Sequence, residues 1–342
     1  MAPTLKDVAK LAGVATNTAS SILTGRKDSW ASAETRERVI TVARNLGYTG
    51  NRYARGLRTG RYNTVGLILP DLLNPIYVSF ARHIEDLLHA SGYNVLIEDV
   101  KADSRLEKTV ISKLFTSEVD GVIGFLLDRD AHTATFAGGG AKKPTVFLGA
   151  DFPNTHIDNV SVDFHKGTTA AIEYLYELGH REIGFVCGLP QASSEDARVN
   201  YYSDVLKVHG LTFDKQNFIR CTHTIESAHA AFSAYLAGTP ADRRVSAIFA
   251  INDLVAIGSM RAAIDHGLRI PADLSVIGVD DVPLARFLPC ALTTVAYPVR
   301  EMAAQAVEFL IERINAKRQR KRRTVMFPTH LVKRASTAAI RD

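Results

Sequence analysis

Two hydrophobic periods divide this chain. Near the start, Leu5, Val8, Ala9 and Ala12 recur at helical spacing behind a Thr4/Asp7 capping-box signal. Gly13 interrupts them, and a second apolar set follows at Ala19, Ile22 and Leu23, closed by Gly25. That spacing predicts a helix-turn-helix. Ser32 then predicts the cap of a third helix that buries Val39, Ile40, Ala43 and Leu46 on one face and stops at Gly47. From residue 64 the period changes. Short apolar runs (Val65 to Leu69, Tyr93 to Ile97, Val119 to Phe125) alternate with helical stretches at Pro75 to Ser91 and Glu107 to Phe115. The alternation resumes after residue 160. Helices are expected at Gly167 to Leu178, Arg198 to His209 and Leu254 to His266, and strands at Ile183 to Cys187, Ala247 to Ala250 and Leu274 to Val279. Near-continuous apolar strands between helices predict parallel sheets covered on both faces. The expected fold is therefore a small all-α headpiece followed by an α/β core of two Rossmann-like lobes.

Length agrees with that division. At 342 residues the chain suits a small module and about two ordinary domains. It is 46% hydrophobic and 23% charged, which excludes a disordered chain. No apolar run approaches the ~20 residues of a membrane span. The opening MAPTLKDVAK has no apolar signal core, so export is not expected. Cys187, Cys221 and Cys290 are far apart and form no CxxC pair. A reducing cytoplasm is the expected compartment.

Charge separates the two parts more sharply than composition. Through Gly60 the chain carries ten Lys/Arg against four acids, while the other 282 residues carry 31 basic and 32 acidic groups. A cationic three-helix unit on a neutral body is the electrostatic footprint of phosphate-backbone binding. Residues 51 to 64 (NRYARGLRTGRYNT) are polar and basic with two glycines, which marks a linker. On the second helix Thr16, Asn17, Thr18, Ser20 and Ser21 offer the short polar side chains that base edges and phosphates require.

The ordered motifs LKDVAKLAGVATNTASSILTG, SAETRERVITVARNLGY, NRYARGLRTG, VGLILPDLLNPIY, ELGHREIGFVCG, AIFAINDLVAIGSMRAA, GLRIPADLSVIGVDDVPLA, LTTVAYPVREMA and LVKRAST resemble the LacI/GalR (lactose-repressor) family of bacterial transcription regulators along essentially the whole chain. The resemblance implies a DNA-binding headpiece at 1–50, a hinge helix at 51–62, and a core like a periplasmic binding protein of type I. Its N-terminal lobe would comprise 63–162 and 293–325, and its C-terminal lobe 163–292 and 326–342. Thr4, Leu5 and the five polar residues of the second helix would meet operator DNA, with Asn51, Ala54, Arg55, Leu57 and Arg58 from the hinge. Leu57 would act as a minor-groove wedge, for which packing against the core is the alternative. Gly56, where serine is usual, lowers free helicity by up to ~1 kcal/mol, so the hinge helix is expected to form on DNA.

For the effector cleft the resemblance implies Asp71, Tyr77, Arg198, His223, Asn252 and Asp280, with Asp163 and Ser194 nearby. Carboxylates, a guanidinium and an amide suit hydroxyls, and an aromatic face suits stacking. Asp280 and Asp281 are also readable as loop caps after a strand, and His223 as a surface histidine. Four further departures stand out: Ala15 in place of a capping serine, Ser21 in place of arginine, Gly149 in place of aspartate, and Tyr201 where Arg198-x-x-Gly is expected. Asp151 could compensate for the missing carboxylate.

Two leftover features read blandly. The run Lys317-Arg-Gln-Arg-Lys-Arg-Arg323 is taken as a solvated face, and Gly138-Gly-Gly140 as a loop outside any phosphate-binding frame. No GxSxG, HExxH or P-loop is present, so no catalytic residue, cofactor or metal is expected. A transport sugar-binding protein is the rival reading, which the cationic headpiece opposes. The expected protein is a homodimeric repressor that binds a near-palindromic operator and responds to a sugar-like small molecule.

Overall fold

A computed structural model describes residues 3–23, 31–48, 60–127, 143–149, 157–188, 193–212, 214–316, 318 and 321–340. The hinge residues Asn51, Ala54, Arg55, Gly56, Leu57 and Arg58, with Asp151 and Gly138 to Gly140, lie outside them. The chain divides into two units, Met1–Tyr62 and Asn63–Asp342.

The first unit contains α1 (Leu5–Leu11), α2 (Thr16–Leu23) and α3 (Ala33–Asn45). Helix α1 starts at a complete capping box: the Thr4 hydroxyl accepts from the Asp7 N–H, and the Asp7 carboxylate accepts from the Thr4 N–H at 2.8 Å. Helix α3 begins where Ser32 accepts from the Thr35 N–H at 3.2 Å. Val8, Ala9, Ala12, Ala19, Ile22, Val39 and Ala43 form its core, with Leu5, Val42, Leu46 and Tyr48 packed against it. Ile40, expected inside, is 43% exposed. Val42 takes its place in the packing, because so small a core is closed by the 39/42/43/46 face alone. The Arg38 guanidinium donates to the Ala12 carbonyl at 3.1 Å and ties α3 to the end of α1.

The second unit holds two six-stranded sheets. The first has β1 (Thr64–Leu69), β2 (Asn94–Asp99), β3 (Gly121–Phe125), β4 (Thr145–Gly149), β5 (Asp158–Val162) and β11 (Thr324–Phe327), in the order β11-β5-β4-β3-β1-β2 and parallel throughout. Helices α4 (Pro75–Ala90), α5 (Ser104–Thr116) and α10 (Val299–Asn315) cover it. The second has β6 (Ile183–Gly188), β7 (Phe218–Cys221), β8 (Ala247–Ala250), β9 (Ser275–Val279), β10 (Thr293–Ala296) and β12 (His330–Val332), in the order β12-β10-β9-β8-β6-β7. Only β12 runs antiparallel in it. Helices α6 (Phe164–Glu177), α7 (Ser193–Val208), α8 (Ile225–Gly238) and α9 (Asp253–Asp265) accompany it. Central strands such as β3 and β9 are buried at every position, which is why their sequences read as apolar runs.

The chain crosses between lobes three times: after β5, after β10 and after β11. Residues 293–296, expected in the first lobe, pair with β9 in the second sheet, and Met326 and Phe327, expected in the second, pair with β5 in the first. A short apolar strand carries no mark of the sheet it joins, so register alone decides this.

Polar side chains then fasten particular elements. Buried Asp158 opens β5 and accepts from Arg313 Nε at 2.7 Å, and from the Arg323 backbone and Nη2 at 2.8 and 2.6 Å. Burial pushes its carboxyl up, and the hydrogen bonds from the two arginines more than reverse this, leaving it below the ordinary range. Arg323 also pairs with Glu312. The end of the basic run is thus a structural ion cluster rather than a solvated face. In the second lobe the His180 ring meets Ser246 Oγ at 2.9 Å, Ser275 Oγ at 3.0 Å and the Ala338 carbonyl at 3.1 Å, which straps the C-terminal segment over β8 and β9.

Gly278 has no room for a side chain, since a Cβ there would stand 2.2 Å from Asp253 Oδ1. Gly278→Ala is expected to cost about 1–3 kcal/mol through the forced shift of α9, read as a lowered thermal midpoint. An unchanged midpoint would show that the start of α9 gives way freely.

Candidate functional site

In parallel α/β sheets, ligands bind beyond the carboxyl ends of the strands, where chain direction forces the connecting segments to diverge. The expected effector residues fall at such ends. Asp71 follows β1, Asp163 follows β5, His223 follows β7, Asn252 follows β8 and Asp280 follows β9, while Tyr77 lies on α4 and Ser194 and Arg198 on α7.

The structure brings four of them together around Asp280. Tyr297, on the crossover between β10 and α10, donates its hydroxyl to Asp280 Oδ1 at 2.8 Å. Asn74, Arg198 and His223 also stand near enough to this carboxylate to act on it. Tyr77 stands close enough to Tyr297 for their hydroxyls to influence each other. Burial pushes the Asp280 carboxyl up to about 6, against the opposing pull of Tyr297, Arg198, Asn74 and His223. Burial and the adjoining carboxylate also hold the Tyr297 phenol well above its ordinary range.

An aromatic wall adjoins these polar groups. Phe125 meets Tyr77 and Phe80 edge-on at 5.1 and 4.9 Å, Phe164 meets Tyr297 edge-on at 6.0 Å, and the Arg198 guanidinium lies 5.3 Å from the Phe164 ring. Such an arrangement can stack a flat apolar face, hold hydroxyls against one carboxylate and direct a guanidinium at an oxygen.

Backbone conformation sets the carboxylate's position. Asp280 and Asp281 adopt φ of +112° and +53°, an uncommon conformation for residues with side chains. Three contacts hold the turn: the Asp280 N–H donates to the Val295 carbonyl at 2.9 Å, the Val282 N–H to Asp253 Oδ2 at 2.8 Å, and Arg334 to Asp281 at 2.5 Å. Asp253 is fully buried and accepts from the Thr294 hydroxyl at 2.6 Å; burial, and then the nearby Asp280 charge, push its carboxyl well up.

Three of the other expected residues make local hydrogen bonds to the backbone. Asp71 accepts from the Leu73 N–H at 2.8 Å, Asp163 caps α6 through the Lys166 N–H at 3.0 Å, and buried Asn252 caps α9 through the Val255 N–H at 2.8 Å. Gly149, at φ +92°, occupies a conformation an aspartate would adopt only under strain. Tyr201 packs edge-on against the His165 ring at 5.0 Å. Sequence reading missed Asn74, Tyr297 and Phe125. Tyr297 was visible inside the quoted TTVAYP motif, as an aromatic beside a proline at a strand end.

In the headpiece, Thr16 and Asn17 are exposed at the start of α2, and Thr18, Ser20 and Ser21 are half-buried. Thr4 is exposed, while Leu5 packs on the headpiece core. Ala15 supplies the carbonyl that accepts from Ala19 at 3.0 Å but has no side-chain oxygen with which to cap α2.

Comparison with known proteins follows the same division. Residues 4–51 match the family model for bacterial regulatory proteins of the lacI family, and 172–337 match the periplasmic binding protein-like domain. The chain is 32% identical over 346 residues to the HTH-type transcriptional regulator DegA of Bacillus subtilis, covering 99% of each. This chain belongs to the lacI family. The lacI-family repressor CytR of Escherichia coli is also 32% identical, over 92% of this chain and 90% of its own. Among solved structures, the lac repressor dimer bound to operator and the anti-inducer ONPF superposes with a TM-score of 0.83 at 26% identity, covering 99% of this chain and all of that one. The complex of the transcriptional regulator CelR with cellobiose gives 0.71 at 27%, covering 98% and 99%. The fold is thus that of the lacI family: a helix-turn-helix headpiece and a two-lobed α/β core. Among the described residues, no helix is long and apolar enough to cross a membrane.

The raised pKa of Asp280 gives a signed expectation. Its folded value of about 6 exceeds the ordinary 3.8, so the protonated carboxyl favours the fold. That contribution is complete below pH 3.8 and is lost as pH rises through about 6. In urea titrations at stepped pH, wild type should lose stability relative to Asp280→Asn between those values and keep a constant gap above them. Parallel stability profiles would place the carboxyl in an ordinary environment.

Proposed function

We propose that this protein is a sequence-specific DNA-binding transcription repressor whose operator affinity is set by a small molecule held between the lobes of its core. The observation that carries the reading is the first 60 residues. They hold the whole net positive charge, and α2 of their three-helix unit exposes Thr16 and Asn17 at its start. The names of the relatives, regulators and repressors throughout, support the same class and argue against an enzyme.

The effector is a neutral, hydroxyl-bearing molecule with an apolar face, a sugar or a sugar-containing metabolite. Arg198 and Asp280 balance each other in charge, so an anionic ligand would confront the carboxylate. The aromatic wall of Tyr77, Phe125 and Phe164 suits stacking on such a face. CelR with cellobiose is a likeness in the same direction.

A homodimer completes the reading, with the lac repressor dimer as the likeness. Leu72, Leu73, Val78, Leu96 and Ile97 are exposed, and the Leu72 N–H donates to Asp99, which joins their turn to the end of edge strand β2. The second copy would cover these side chains. A twofold pair presents two recognition helices to two half-sites about one helical turn apart, hence a near-palindromic operator. Ligand binding and DNA binding are then coupled by linkage, since an effector preferring one lobe angle shifts the population that fits the operator.

Two experiments test this reading. In gel-shift titrations, genomic fragments should be bound in preference to random oligonucleotides with a steep dependence on salt, and Asn17→Ala should remove ~1–3 kcal/mol of that discrimination. Equal affinity for all DNA would sink the proposal. In a thermal-shift screen of sugars and nucleosides, a ligand that raises the core's midpoint should lose its effect in Arg198→Ala, while operator binding without ligand is kept.

A further inference from the structure

The C-terminal segment makes one contact that its own anchorage does not need. Ser336 Oγ accepts from the Thr293 N–H at 2.8 Å and donates to the Val276 carbonyl at 2.6 Å, the Ala338 N–H donates to Ser275 Oγ at 3.1 Å, and the Ile340 N–H donates to the Leu178 carbonyl at 2.9 Å. These bonds hold residues 335–340 without help from Arg334. The Arg334 backbone N–H donates to Thr293 Oγ1 at 2.9 Å, and its guanidinium bridges two more groups, giving Nη1 to the Leu292 carbonyl at 2.8 Å and Nη2 to Asp281 Oδ1 at 2.5 Å. Both members of that ion pair are largely shielded, at 15% and 22% exposure.

Asp281 is the second of two consecutive residues with positive φ, the first being Asp280 at +112°. A residue with a Cβ stays in such a conformation only where its neighbours compel it. The Asp280 N–H donates to the Val295 carbonyl at 2.9 Å, and the Val282 N–H donates to Asp253 Oδ2 at 2.8 Å, so backbone bonds fix the two flanks of the turn. The ion pair fixes its middle. Charge argues the same way, because Asp280 and Asp281 both lie near enough to Asp253 to push its carboxyl up, and like charges so close favour separation. Arg334 sets a cation against one of the three.

We propose that Arg334 is a positioning residue for the cleft: by pairing with Asp281 it holds the strained turn in the form that presents Asp280, so the C-terminal segment takes part in building the effector site. This rests on the reading of the cleft as the effector site. The link runs from Arg334 through Asp281 to Asp280, which accepts from Tyr297 at 2.8 Å. A turn that relaxes would carry the carboxylate off that hydroxyl.

Amide hydrogen exchange of the full chain, with neither DNA nor small molecule present, reads the first consequence. In Arg334→Met, peptides spanning 279–285 should exchange about fivefold faster or more, while peptides spanning 335–340 keep wild-type protection. Equal loosening of both stretches would reduce Arg334 to one more tie of the segment and overturn the proposal.

A second readout is one that fastening the segment would leave unmoved. The carboxyl titration of Asp280, followed by carbon NMR, should move up in Arg334→Met, which removes a cation and leaves Asp281 uncompensated, and should return towards wild type in Arg334→Lys. Asp281→Gly closes the test, since glycine adopts positive φ freely and leaves no carboxylate to hold. Adding Arg334→Met to it should change neither exchange at 279–285 nor the Asp280 titration. A further change of the same size as in the wild-type background would show that Arg334 acts through the Leu292 carbonyl alone, and wild-type values of both readouts in Arg334→Met would equally overturn the proposal. Should Arg334→Met fail to fold, Arg334→Lys alone and in the Asp281→Gly background carries the exchange comparison. None of these measurements uses an operator or an effector, so their failure and that of the regulatory reading are told apart.

Discussion

The core depends on how two carboxylates are held at the ends of the neighbouring strands β8 and β9. Asp253 is fully buried at the start of α9, and Asp280 follows β9 beside it. A buried carboxyl is tolerated only where donors meet it, and here nearby donors are committed: Thr294 and Val282 to Asp253, Tyr297 to Asp280. Gly278 exists to let Asp253 approach β9, and positive φ at residues 280 and 281 turns the second carboxylate toward the cleft. Backbone strain at such a place persists only because its surroundings over-determine it. The C-terminal strap does part of that work, since Arg334 grips Asp281 and the Leu292 carbonyl while Ser336 joins β9 to β10.

The headpiece works under the opposite constraint. Among the described residues its buried apolar set is seven, four of them alanine, so it has little apolar area with which to hold three helices. Local polar devices therefore matter more there: the capping box at Thr4 and Asp7, the Ser32 cap and the Arg38 bond to Ala12. Helix α2, whose exposed residues face the proposed operator, lacks a side-chain cap at Ala15. A marginal module gains most from its ligand, because binding free energy adds directly to a small folding free energy.

Legibility in the sequence followed the strength of the periodic signal. Strand β1 and helices α4 and α9 were read to within a residue or so, since their apolar faces are long and their ends carry Pro, Gly or a capping side chain. Ile40 was misassigned because one exposed apolar residue in a short helix is indistinguishable from a core residue until its neighbours are placed. The 293–296 boundary failed for a different reason: a strand's sequence reports burial, and both sheets bury their strands. Among the proposed site residues, Arg198, His223, Tyr77 and Asp280 were named through motif order. Asn74 was not, because an asparagine before proline already has a sufficient explanation as a helix cap. Arg323 was hidden inside a basic run, where its pairing with Asp158, 165 residues away, leaves no local trace.

The placement of Asp280 explains how one small contact can have a large effect. A ligand shifts a conformational equilibrium only by its differential affinity for the two states. Contacts confined to one lobe would bind open and closed forms equally and shift nothing. Asp280 joins the end of β9 to the Tyr297 crossover, so a molecule that engages it meets a group placed where the lobe angle is set. The strand ends of the two six-stranded sheets supply many places for polar groups, but local hydrogen bonds already employ Asp71, Asp163 and Asn252. What distinguishes Asp280 is that its side-chain hydrogen bond reaches the crossover between the lobes, the connection whose shape must change when the lobe angle changes.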